Sequence, residues 1–70
     1  RADIYLKSKK GQRDIVIEMK YAENDKEDCL LASADKAMTQ ILDKHYGDDA
    51  IKIGIGNHQK KAKMIWKDIK

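Results

Sequence analysis

The sequence predicts an α/β domain with a mixed four-stranded sheet and one long helix, in the order ββαββ. Three observations predict it. Ala2 to Lys7 and Asp14 to Ala22 alternate apolar and polar residues on a period of two, as half-buried strands do. Between about residues 25 and 45, apolar residues recur at spacings of three and four, the period of a helix packed on one side. Ala50 to Gly56 and Ala62 to Ile69 then return to a period of two.

In the first strand, Ala2, Ile4 and Leu6 share one face, and Asp3, Tyr5 and Lys7 the other. SKKGQR then supplies a turn, with Gly11 free to take a positive φ, so the first two strands form an antiparallel hairpin. The second strand puts Asp14, Val16, Glu18 and Lys20 on one face and Ile15, Ile17 and Met19 on the other. Asn24 is placed to cap the helix, and Glu27 to complete a capping box three residues later. Leu30, Leu31, Ala34, Ala37, Met38, Ile41 and Leu42 make the apolar stripe. Lys44 and His45 suit the negative end of the helix dipole, and Gly47 suits the residue just past it. The third strand is expected to turn Ile51, Ile53 and Ile55 inward. Gly54 and Gly56 leave its opposite face bare for the close approach of another backbone or side chain. Asn57 to Lys61 makes the last turn, and the fourth strand carries Met64 and Trp66 on one face and Ile65 on the other. A long helix between the second and third strands implies a right-handed crossover to a parallel neighbour, which makes the sheet mixed.

Seventy residues make one domain of modest stability. The chain opens in a strand with no initiator Met, so it is expected to be a piece of a longer protein. No segment approaches the roughly 20 apolar residues that span a bilayer, and no signal peptide is visible. The single cysteine, Cys29, excludes an internal disulfide and suits a reducing cytosol, so the expected location is cytoplasmic, with no membrane partner. Net charge is +3, but it is unevenly spread. Residues 1–20 and 50–70 are basic (+3 and +5) and residues 21–49 acidic (−5). Basic ends suit a polyanionic partner, although lysines on exposed strand faces are also ordinary solubilising residues.

The stretch DIVIEMK carries the chemistry. Antiparallel pairing brings Asp3, near the start of the first strand, close to Glu18, near the end of the second. Two carboxylates side by side repel unless a cation lies between them, and hard oxygen ligands suit Mg²⁺ or Mn²⁺. Lys20 lies two residues on and on the same face, where it can help deprotonate a metal-bound water or stabilise developing negative charge. By itself E-x-K is weakly specific, and a solvated ion pair explains it cheaply. Cys29, His45 and His58 match no zinc spacing. Trp66 and Tyr46 can stack on bases but read first as buried core aromatics. Gly54-x-Gly56 lacks the following helix and lysine of a phosphate loop.

The assembly R-A-D, a turn, D-I-V-I-E-M-K, a helix containing Q-I-L-D-K-H-Y, then I-K-I-G-I-G resembles the PD-(D/E)XK nuclease superfamily over nearly the whole chain. It looks most like the subfamily found C-terminal to AAA-type ATPase-like domains in bacteria and archaea. The resemblance implies a restriction-endonuclease-like core. It makes Asp3 and Glu18 metal ligands, with help from the backbone carbonyl of Met19, and Lys20 the motif lysine. Gln40 supports the site from the helix, and Tyr46 is the aromatic after it. Ala2 stands where the namesake proline would be. The helix that begins the family core, and a further strand, are missing from this chain.

The expected function is therefore Mg²⁺- or Mn²⁺-dependent hydrolysis of nucleic-acid phosphodiesters by Asp3, Glu18, Lys20 and Gln40, with DNA favoured over RNA as the nucleic acid. Lys9, Lys10 and Arg13 of the first turn and Lys60, Lys61, Lys63 and Lys67 of the last hairpin are expected to hold the backbone. The alternative is a catalytically silent interaction or dimerisation module of the same fold, engaging a partner, a second copy or its own ATPase-like domain. With one helix for two sheet faces, the chain is also expected to form a homodimer.

Overall fold

A computed structural model describes residues 3–44 and 49–68. Its centre is β2 (Ile15–Tyr21), a run rich in β-branched residues that suits a strand flanked on both sides. Strand β1 (Ile4–Leu6) pairs antiparallel with β2, with Ile4 opposite Ile17 and Leu6 opposite Ile15. The turn between them is held by Asp14, which accepts from the Ser8 amide at 3.0 Å and from the Tyr5 hydroxyl at 2.9 Å. Gly11 takes φ 86°, as the turn requires.

Helix α1 (Glu27–Lys44) follows. Asn24 Oδ1 accepts from the Lys26 amide at 2.9 Å and turns the chain into the helix. The first helical bond runs from Leu30 N–H to Lys26 C=O. Glu27 does not close a capping box; its carboxylate lies 3.8 Å from Lys63 Nζ. His45, Tyr46 and Gly47, read as the helix end, lie outside the described residues. Among the described residues no helix is long and apolar enough to cross a membrane.

Strand β3 (Ile51–His58) lies parallel to β2, and β4 (Lys61–Lys67) antiparallel to β3, giving the mixed sheet β1-β2-β3-β4. The last turn is tighter than expected. Gln59 takes φ 53°, so that His58 pairs directly with Lys61.

The register corrects the expected core. Residues opposite each other in register share a face, so Val16, Glu18, Lys20, Lys52, Gly54 and Gly56 stand together. Helix α1 lies on this face. A Cβ at Gly54 would fall 2.5 Å from the Ala34 carbonyl oxygen, and one at Gly56 1.9 Å from that of Leu30. The bare glycine strip is thus the seat of the helix. Leu30, Ala34, Ala37, Met38 and Ile41 are the buried stripe, while Leu31 on the outer side is exposed. Small Ala34 and Ala37 against glycine let the two backbones approach closely. Val16, Ile41 and Ala50 form the fully packed centre.

Ile51, Ile53 and Ile55, expected inward, line the opposite face with Ile15 and Ile17, and each is only half-buried. Met64 and Trp66 share that face through Ile55 and Ile53. Trp66, expected in the core, is 63% exposed.

Candidate functional site

Two charged side chains are buried on the helix-covered face: Lys52, 2% exposed, whose Nζ donates to the Ala50 carbonyl at 3.1 Å, and Glu18, a carboxylate 4% exposed. A buried carboxylate needs hydrogen-bond donors, and Glu18 has two. Gln40 Nε2, reaching down from α1, donates to Oε2 at 2.7 Å, and the Asp3 amide donates to Oε1 at 3.2 Å. Antiparallel pairing produces the second contact, because the position after Ile4–Ile17 sets Asp3 beside Glu18. The Asp3 side chain closes the arrangement by accepting from the Met19 amide through Oδ2 at 2.8 Å. In a strand, a residue's N–H and C=O project to the same side. The Met19 carbonyl therefore faces the Asp3 edge, past the end of the short β1.

Asp3, the adjacent Glu18 and Met19, and Gln40 are thus brought together from three separate stretches at one corner of the sheet. The donor set is chemically suited to a hard divalent cation: two carboxylates on neighbouring strands and an adjacent carbonyl. Each Glu18 oxygen carries one hydrogen bond and retains a second acceptor site. Among the described residues no cluster of three or more His, Cys, Asp or Glu side chains is present, so any cation here rests on two carboxylates and backbone or water oxygens.

Lys20 stands on the same face as Glu18, opposite Gly56, and is half-buried. With Lys36, Glu23, Ser33, Cys29 and Tyr21 it lines an open groove of about 440 Å³. Lys36 was missed by the sequence reading, yet its spacing of four from Gln40 put it one helical turn away on the same side.

The other basic residues do not converge on this corner. Lys9 and Lys10 occupy the hairpin turn, at the opposite end of β1 from Asp3. Arg13 is engaged elsewhere: its Nε donates to the Asp49 carbonyl at 2.9 Å, and its guanidinium pairs with Asp68. Lys61 and Lys63 lie across the helix, 3.7 Å from Asp25 and 3.8 Å from Glu27. These acids lie just before and at the first turn of α1. His58 bonds the Ala22 carbonyl through Nδ1 at 2.8 Å.

Asp14, on the same face of β2, belongs to the hairpin turn. Its pKa lies below the usual carboxylate value because the Ser8 amide and then the Tyr5 hydroxyl donate to it, with Lys7 adding attraction. The Tyr5 hydroxyl is correspondingly held above its ordinary value by that bond.

No family model, curated protein or solved structure matches the chain.

Proposed function

We propose that this chain is a restriction-endonuclease-like, metal-dependent nuclease domain that hydrolyses phosphodiester bonds of DNA. One observation carries the proposal: Glu18 is buried, held by Gln40 from the helix and joined to Asp3 through the strand register. A structural ion pair needs neither the glutamine nor the second carboxylate. Asp3, Glu18 and the Met19 carbonyl would hold Mg²⁺ or Mn²⁺, which when bound supplies charge neutralisation and an acidified water.

The protein's own groups do the rest. Gln40 fixes the rotation of the Glu18 carboxylate and so the direction of its free lone pairs. Asp3 is fixed by the Met19 amide. Lys20 offers its ammonium to the attacking water and to the negative charge that grows on the phosphoryl oxygens. Lys20 and Lys36 flank the groove along which a phosphate backbone would approach. These contacts favour phosphate over base and carry no sequence preference.

A silent interaction module is the second reading, and the hydrogen bonds on both Glu18 oxygens favour it, since they satisfy the carboxylate without a cation. Metal titration followed by a cleavage assay separates the two. Asp3→Ala and Glu18→Ala should abolish Mn²⁺ binding and cleavage together. Lys20→Ala should keep Mn²⁺ affinity equal or slightly higher and lower cleavage by about 10²-fold or more. A parent chain that binds neither Mg²⁺ nor Mn²⁺ refutes the nuclease reading. Lys20→Ala cutting at the parent rate refutes the mechanism.

A further inference from the structure

We propose that the uncovered face of the sheet is a self-association surface, on which a second copy of this chain packs sheet against sheet. The distribution of charge carries the argument. Every charged residue within the strands (Glu18, Lys20, Lys52, Lys61, Lys63, Lys67) stands in register on the helix-bearing side. Among the described strand residues the open side has none, from Ile4 across Ile17 and Ile53 to Trp66, and the Arg13–Asp68 pair lies just past the strand ends. A sheet with one face in water normally shows the reverse, apolar beneath the helix and polar outside.

The exposed side chains are large. Trp66 is 63% and Met64 57% exposed, with Leu6, Met19 and Ile4 also open. At roughly 200 Å² per large side chain, these and the half-buried isoleucines present about 700 Å². That exceeds the patch of about 300–600 Å² found on a typical monomer. Two copies would bury about 1,400 Å², within the range of stable interfaces.

Shape and symmetry favour a second copy over a lone helix. Four strands span about 15–19 Å, and one helix of about 10 Å diameter covers only part of that width. A second sheet covers all of it at about 10 Å separation. In a two-fold contact the same patch is buried twice, so any charge on it would be desolvated in both copies; strands without charge on this face avoid that cost. The Asp3–Glu18 corner lies on the opposite side and stays open in such a dimer, so this inference stands or falls independently of the nuclease reading.

Trp66 is the sole tryptophan, so its emission reports on this face directly. Analytical ultracentrifugation and Trp emission should be followed from about 1 to about 200 µM. The expected result is a doubling of the 8.1 kDa mass, accompanied by a blue shift of Trp66. Met64→Glu should weaken association roughly 100-fold or more and leave far-UV circular dichroism unchanged, because Met64 is not in the core. Trp66→Lys should do the same by mass alone, and Leu31→Glu on the outer side of the helix should change neither. The inference is overturned by a monomer at the highest concentration, by aggregates without a defined dimer, by a dimer whose Trp66 emission stays solvent-like, or by Met64→Glu retaining the parent mass. A monomer that binds a hydrophobic dye would assign the face to a partner of different sequence.

Discussion

Replacing Gly56 by alanine tests how closely the helix is seated on the sheet. The new Cβ would lie 1.9 Å from the Leu30 carbonyl oxygen and 2.7 Å from the Ala34 amide nitrogen. Ordinary contact begins near 3.4 Å, so the helix backbone must lift by about 1.5 Å, since no side-chain rotation relieves a backbone contact. Alanine gains about 0.5–1 kcal/mol by restricting the unfolded chain. Overpacking costs about 1–3 kcal/mol and occasionally more, and a clash this deep belongs at or above the upper end. The net loss is about 2–3 kcal/mol, out of a total of about 4–10 kcal/mol for a domain this size. At about 4–8 °C per kcal/mol, the thermal midpoint should fall by roughly 10–20 °C. Thermal and urea unfolding followed by circular dichroism, at one fixed protein concentration, measures this. Gly54→Ala, with its Cβ 2.5 Å from the Ala34 oxygen, should cost less than Gly56→Ala. Gly11→Ala has open space around it and should cost only about 1 kcal/mol for its positive φ. A Gly56→Ala variant within about 1 kcal/mol of the parent, or less damaging than Gly11→Ala, would refute the close seating of the helix on the glycine strip.

Two further perturbations probe the polar network. Gln40→Ala removes a 2.7 Å donor from a buried carboxylate and should cost about 1–3 kcal/mol in urea unfolding. A neutral effect would mean that Glu18 does not depend on the helix for its place. The Asp14 carboxyl is depressed by the Ser8 amide and the Tyr5 hydroxyl, so its contribution is present above the unfolded pKa of about 3.9 and disappears as pH falls through the lower folded value. Asp14→Asn should flatten the acid limb of the stability curve below about pH 4, and Tyr5→Phe should move the Asp14 titration, followed by NMR, back toward the ordinary value. An Asp14 that titrates at or above the ordinary value contradicts the arrangement of the turn.

Much of the fold was legible because it depends on local rules. Period-two alternation marked four strands, the three-and-four spacing marked the helix, and the length of the connection made β2 and β3 parallel. The pairing of Asp3 with Glu18 was legible for the same reason, since an antiparallel hairpin around Gly11 leaves few registers. What periodicity does not state is which of two faces a helix will choose. Isoleucines at 51, 53 and 55 read as the buried side by hydrophobicity alone. Instead, close backbone packing chose the glycines: Ala34 and Leu30 can approach Gly54 and Gly56 as they could approach no side chain. That choice placed Glu18 under the helix within reach of Gln40, and left Trp66 in the open. It also set Arg13, Lys61 and Lys63 beside acids and a carbonyl brought near only by the folded chain. Local spacing determined the strands, the helix and the carboxylate pair. Only tertiary packing decided which face is core, which is surface and which charges remain free, since these depend on contacts between residues far apart in the sequence.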